Sequence, residues 1–194
     1  MRGWQVGVGV GAAILLGSPI VELSGIGLTG IGLTGIGLNR AIAQESIWKR
    51  FTSQQGRFSI VLPGTPKERK EGGLTLFELI RDDESVRYSV GFLDLPVAPG
   101  ADKKIQNEVY EGVRRGAAKD QGELLSYRTI QLNGFPGREM NFKLPDDMVA
   151  KWRVYIVNKR AYFVSVTTTQ QNQAQGLATS IDVFLNSFRL VGKH

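Results

Sequence analysis

Apolar and polar positions change rhythm several times along the chain, and each change marks an element. Residues 57–62 (RFSIVL) alternate, with Phe58 and Ile60 on one face, and stop at Pro63-Gly64-Thr65-Pro66. Residues 74–80 and 86–93 are strand-like runs around the polar turn Asp82-Asp83-Glu84-Ser85, the pattern of a hairpin. These three strands are expected to lie antiparallel together. From 102 to 118 the period lengthens: Ile105, Val109, Val113 and Ala117 recur every four residues, which predicts a helix with one apolar stripe. Asp102 stands where it can cap that helix, and Gly122 lies just past its end. Two more hairpins follow, 125–132 with 138–144 across Asn133-Gly134, and 149–157 with 161–168 across Asn158-Lys159. A closing helix is expected from about 173 to 188, where Leu177, Ile181, Phe184, Leu185 and Phe188 fall at helical spacing.

Seven strands joined mostly by hairpins, with two helices, predict an α+β fold: a largely antiparallel sheet with helices packed on it. Hairpin connections argue against the parallel, doubly wound sheet that binds dinucleotides. No Pro/Gly/Ser-rich linker divides residues 45–194, so they are expected to form one domain.

The first 44 residues follow another logic. They hold eleven of the 24 glycines of the 194-residue chain and only three ionised side chains, Arg2, Glu22 and Arg40. A thin positive start, an apolar run over 6–16 and the small-x-small sequence Ala41-Ile42-Ala43 predict an export signal cleaved near Gln44. The alternative is a retained membrane anchor, against which Glu22 and the glycines argue. Within this segment Leu-(Ser/Thr)-Gly-Ile-Gly repeats three times over 23–37; a period of five suits neither helix nor strand and reads as low-complexity leader. Its Gly-x-Gly steps have no preceding strand and no following Lys, so no phosphate-binding loop is expected.

The chemistry available is narrow. With no cysteine there are no disulfides, thiol nucleophiles or cysteine-based metal sites, and the only histidine is the last residue, His194. A Ser-His-Asp triad or a multi-histidine metal site within the chain is not expected, and neither a catalytic residue nor a cofactor is assigned. Charge is the larger signal. The net charge is +6, and residues 45–194 keep +5 of it. Lys151 and Arg153 lie two apart on a strand and share a face; Lys159 and Arg160 sit at the next hairpin tip; Arg138 and Lys143 come from the preceding hairpin. If those hairpins are neighbours, the six could form a basic face that docks on an acidic protein or an anionic membrane surface; a solvated face kept soluble by charge is the plainer reading. Lys67, Arg69 and Lys70 read as an exposed loop, with a docking edge as the alternative. Asp82, Asp83 and Glu84, like Asp146 and Asp147, read as solvent-facing turns; their oxygens suit a hard cation, but the spacing is not that of a calcium loop. Trp48 and Phe51, at i and i+3, are expected to form one helical turn closing the end of the core, rather than an exposed arm. Aromatics such as Trp152 and Tyr155 alternate with charge, yet Trp152 is expected to face the core, and no nucleic-acid partner is expected.

A series of landmarks adds a resemblance. Trp48-x-x-Phe51 precedes Gly56-x-Phe58-Ser59-Ile60 and Leu62-Pro63-Gly64-x-Pro66; Leu132-x-Gly134-x-Pro136-Gly137-Arg138-Glu139 and the closing Ser187-Phe188-x-Leu190 follow. Across nearly all of 45–194 this order resembles the PsbP-like group of small exported cyanobacterial proteins, with the α-β-α sandwich of the Mog1/PsbP superfamily. The landmarks are mostly turns and core positions. The resemblance implies a non-catalytic extrinsic or assembly protein in the thylakoid lumen or periplasm, with photosystem II subunits or an assembly intermediate as partner and peripheral membrane contact. The group's archetype helps photosystem II to retain calcium and chloride. No metal-binding histidine of the group can be placed on this chain. The rival expectation is a periplasmic ligand-binding or envelope-stress module unrelated to photosynthesis.

Overall fold

A computed structural model describes residues 47–96, 98, 102–119 and 122–192. The leader, its repeat and His194 lie outside the described residues. Among the described residues ten strands form two antiparallel sheets. Strands β1 (Lys49–Ser53) and β2 (Phe58–Leu62) pair with each other, and the short β10 (Arg189–Leu190) joins β2 on its other side. The large sheet contains β3 (Lys67–Glu71), β4 (Leu74–Arg81), β5 (Val86–Asp94), β6 (Glu123–Leu132), β7 (Phe135–Lys143), β8 (Met148–Val157) and β9 (Arg160–Thr169), in the order β3-β4-β5-β9-β8-β7-β6. Helix α1 (Lys103–Lys119) spans the connection from β5 to β6; α2 (Gln170–Gln175) and α3 (Ala178–Asn186) follow β9.

The three hairpins form where the polar breaks stand. Asn133 and Gly134 both take positive φ (51° and 82°), which a tight two-residue turn requires of its central residues. Ser85 (φ 46°) and Asn158 (φ 52°) close the other two in left-handed conformation. The side chain of Asp102 caps α1, its Oδ1 accepting from Lys104 N at 2.8 Å.

Alternation along the strands, interrupted in β6 by a register shift between Leu124 and Ser126, divides the large sheet into two faces, each with its own core. On one face Tyr88, Val90, Phe92, Tyr155, Val157, Tyr162 and Val164 pack with β2 and with Leu177, Ile181, Phe184, Leu185 and Phe188. On the other Met140, Phe142, Trp152, Val154 and Phe163 pack with Val109, Tyr110 and Val113 of α1. Ala117, the last position of the expected stripe, lies outside the described side chains. A sheet covered on both faces is the α+β, largely antiparallel sandwich expected.

Four details differ from expectation. Strand 57–62 does not join the hairpin of β4 and β5; it leaves that sheet and pairs with the first and last described strands, β1 and β10. Trp48 and Phe51 close the core as expected, but through a strand. The ring centroid of Phe51, on β1, lies 4.9 Å from that of Phe77, and those of Trp48 and Tyr88 lie 5.9 Å apart in a T-shaped pair. The segment with Lys67, Arg69 and Lys70 is not a loop but the edge strand β3, where one-sided pairing to β4 leaves four of five residues exposed. The closing helix breaks at Gly176 into α2 and α3, and Leu177 accepts the first hydrogen bond of the second piece, from Ile181 N at 2.8 Å.

Candidate docking surface

The side chains of β7 and β8 show how the expected basic face is built. Lys151, Arg153, Tyr155 and Val157 share a face of β8, the one covered by α3. Opposite Arg153 on β7 stands Glu139, a carboxylate only 3% exposed. Arg153 Nε donates to its Oε2 at 2.7 Å, and Arg128 on β6 holds its Oε1 at 2.7–2.8 Å. Burial alone would raise the Glu139 pKa; the Arg153 hydrogen bond and the charges of Arg153, Arg128 and Lys151 outweigh it and hold the group below its usual range. Arg153 also donates to Leu185 O (2.9 Å) and Asn186 Oδ1 (2.8 Å), placing a cation at the C-terminal end of α3, where free carbonyls and the helix dipole favour one. With a side chain 12% exposed, Arg153 ties the sheet to the helix; a partner has little of it to touch. Lys151 lies 4.0 Å from Asp182 of α3 and is half-buried.

Arg138 belongs to the opposite face. Its guanidinium lies 4.9 Å from the ring centroid of Tyr110 on α1 and 5.5 Å from that of Tyr127, whose hydroxyl accepts from Nε at 2.8 Å. Beneath it, burial pushes the Tyr110 hydroxyl up to about 12. Lys143 is exposed at the far end of β7, opposite Val149. Lys159 and Arg160 stand at the other end, beyond Val157. Eight residues of strand separate these ends, roughly 26 Å at about 3.3 Å per residue. Salt screens exposed charges over about 8–10 Å. The six residues thus form no continuous patch: the neighbouring hairpins bring Lys151 and Arg153 to one face, with Lys143 and Lys159 at opposite ends.

At the Lys159 end the geometry is more pointed. Arg160 grips Asp94 with two hydrogen bonds (2.6 and 2.9 Å), lies 4.4 Å from the Phe92 ring centroid and donates to Gln55 O at 2.8 Å. The hydrogen bond to Asp94 raises its already high pKa. The β1–β2 and β8–β9 turns therefore lie side by side, and between them opens a cleft of about 490 Å³. Arg57 of the β1–β2 turn, which no sequence pattern singled out, lines it too. Its signal was present but faint: a long cationic side chain directly after Gly56.

The acidic turn does not gather a cation site. One guanidinium nitrogen of Arg81 meets Asp83 at 3.0 Å and Glu84 at 3.1 Å. No group of three or more His, Cys, Asp or Glu among the described residues could hold a metal ion. No helix among them is long and apolar enough to cross a membrane.

No family model and no curated protein matches the chain. Solved structures do. Cyanobacterial PsbP (CyanoP) of Synechocystis superposes with a TM-score of 0.55 at 13% identity, over 87% of this chain and 98% of that one. The fold resembles that of the PsbP-like proteins. Looser likenesses, both with a TM-score of 0.41, are to a Pseudomonas aeruginosa protein of unknown function (10% identity, 69% of this chain, 90% of that one) and to a Bacteroides thetaiotaomicron protein (16% identity, 76% and 50%).

Proposed function

We propose that this chain is a non-catalytic accessory protein that docks by charge on a protein complex of an energy-converting membrane, on the lumenal or periplasmic side, with photosystem II or one of its assembly intermediates as the specific partner. The observation that carries the reading is the PsbP-like fold, matched over 98% of CyanoP. Two features add support. Residues 45–194 have an excess of positive charge. Arg153 and Arg160 are engaged in holding strands, helix and turns together, which leaves exposed lysines to carry the docking charge. Residual charge at Lys143, Lys151 and Lys159 would speed encounter with an acidic surface and make attachment salt-sensitive. The test is affinity capture from gently solubilised photosynthetic membranes, followed by a salt wash. The reading expects photosystem subunits that leave on washing. Recovery of envelope proteins alone would replace it with the periplasmic module.

One observation favours a second reading, a periplasmic ligand-binding module: the polar cleft beside Arg160 is large enough for a small molecule. Dialysis of the purified protein against a panel of small anions, with retention measured, separates the two.

A further inference from the structure

The cleft between the β1–β2 and β8–β9 turns has walls that are fixed in advance. Tyr162 Oη donates to Gly56 O at 2.8 Å, Arg160 to Gln55 O at 2.8 Å, and Ser53 Oγ accepts from Gly56 N at 2.9 Å. On the outer side Val191 N donates to Arg57 O at 2.8 Å, and Leu95 N donates to Lys159 O at 2.6 Å. Both turns are thus held through their backbones, which leaves their side chains free to face the opening.

Those side chains are unbalanced in charge. Arg57, Lys159 and Arg160 face the cleft with a single carboxylate, Asp94, and both oxygens of Asp94 are taken by Arg160. Arg57 and Lys159 are exposed and form no ion pair among the described residues. Between them Gln54, Gln55 and Asn158 supply amide donors and acceptors. Arg57 also sits at φ 53°, a left-handed conformation that strains a side-chain-bearing residue. A glycine would remove that strain, so an arginine held there points to use of its side chain.

We infer that this cleft binds an acidic peptide segment of a partner protein. The lining decides the class of occupant. Sites for compact organic ligands are mostly apolar, whereas this one offers amides, which can pair with a peptide backbone, flanked by two unpaired cations placed to meet carboxylates. The inference rests on the docking function proposed above and gives it an address. Docking concentrates at the turn end, where two of the six expected residues, Lys159 and Arg160, are joined by Arg57.

The full chain is titrated against a fluorescent, end-blocked hexaglutamate peptide at low salt. Binding is expected, along with none to hexalysine. Arg57→Glu with Lys159→Glu is expected to weaken binding at least about tenfold, while Lys143→Glu changes it by less than about twofold. Arg57→Gly separates binding from folding: it should melt no lower than the parent, because strain is relieved, and still bind less tightly. Absence of hexaglutamate binding, or binding unchanged in the double variant, overturns the inference. So does inorganic phosphate binding as tightly as the peptide and lost in the same variant, since the cleft would then be a simple anion site. Membrane capture distinguishes the two proposals. Peptide binding at the cleft without capture of a membrane complex removes the photosystem reading and keeps the cleft. Capture that survives the double variant keeps the accessory role and removes the cleft.

Discussion

Glu139 is the charged residue that lies buried among the described residues, held between Arg128 and Arg153 while almost wholly removed from water. Replacing it by Gln leaves Arg153 partly buried without its anion, the situation in which broken pairs cost about 3–5 kcal/mol. Arg128 is 66% exposed and can rehydrate, so the lower end, about 3 kcal/mol, is expected. For a domain of this size that is a fall in Tm of roughly 6–12 °C, readable by calorimetry. The pH dependence follows from the direction of the shift. The folded pKa of Glu139 lies below its unfolded value near 4.5, so its stabilisation is full above that value and is lost as pH falls through the folded pKa. The Glu139→Gln variant should therefore lose less stability than the parent between neutral pH and the region below pH 4.5, narrowing the gap between them, as urea titrations at several pH values would show. Only half of this was legible in the sequence. Lys151 and Arg153 were placed on one face by the strand period, but the carboxylate opposite Arg153 depends on the register between β7 and β8, which period alone does not set.

Among elements, the hairpins were readable because a turn is a local event: Asn133-Gly134 needs no distant partner to adopt its conformation. The strands β1, β3 and β10 were not. Strand β3 reads Lys-Glu-Arg-Lys-Glu and lacks an apolar face, since an edge strand owes its place to backbone pairing with β4 and not to burial. Its five charges also deter edge-to-edge association of sheets. The central strands depend on close approach instead. A Cβ added at Gly91 of β5 would stand 2.6 Å from Thr75 O and 3.0 Å from Leu76 Cδ1, in contact with the backbone of β4. Gly91→Ala is expected to cost about 1–3 kcal/mol by forcing β4 and β5 apart, measurable in urea unfolding and as lost amide protection along that pair.

The whole molecule is a sheet with two cores, and Phe188 knits together one of them. Its ring centroid lies 5.6 Å from Phe58 of the small sheet and within 5.6–5.8 Å of Tyr155 and Tyr162 of the large one. Truncation to Ala removes contacts to both sheets at once, and a loss of about 3–5 kcal/mol is expected, with hydrogen exchange accelerated first in β2. The sequence placed Phe188 in the core correctly, but on a closing helix that in fact ends at Asn186, two residues short of it. It gave no sign that strand 57–62 would leave its hairpin neighbours, because that choice is made by residues more than a hundred positions away, such as Ser187, whose hydroxyl accepts from Val61 N at 2.9 Å.

That small sheet, with β2 seated between the chain's first and last described strands, also sets a clock. Its Ser59–Arg189 pairing closes a loop of 130 residues, and such long-range closures come late in folding. The bond from Val191 to Arg57 that steadies one wall of the cleft belongs to the same late step. A molecule cut short before Arg189 could still fold most of the large sheet, yet its Arg57 wall would hang loose. Competence to bind would then be gained last, so that unfinished or clipped chains do not compete with complete ones for the partner.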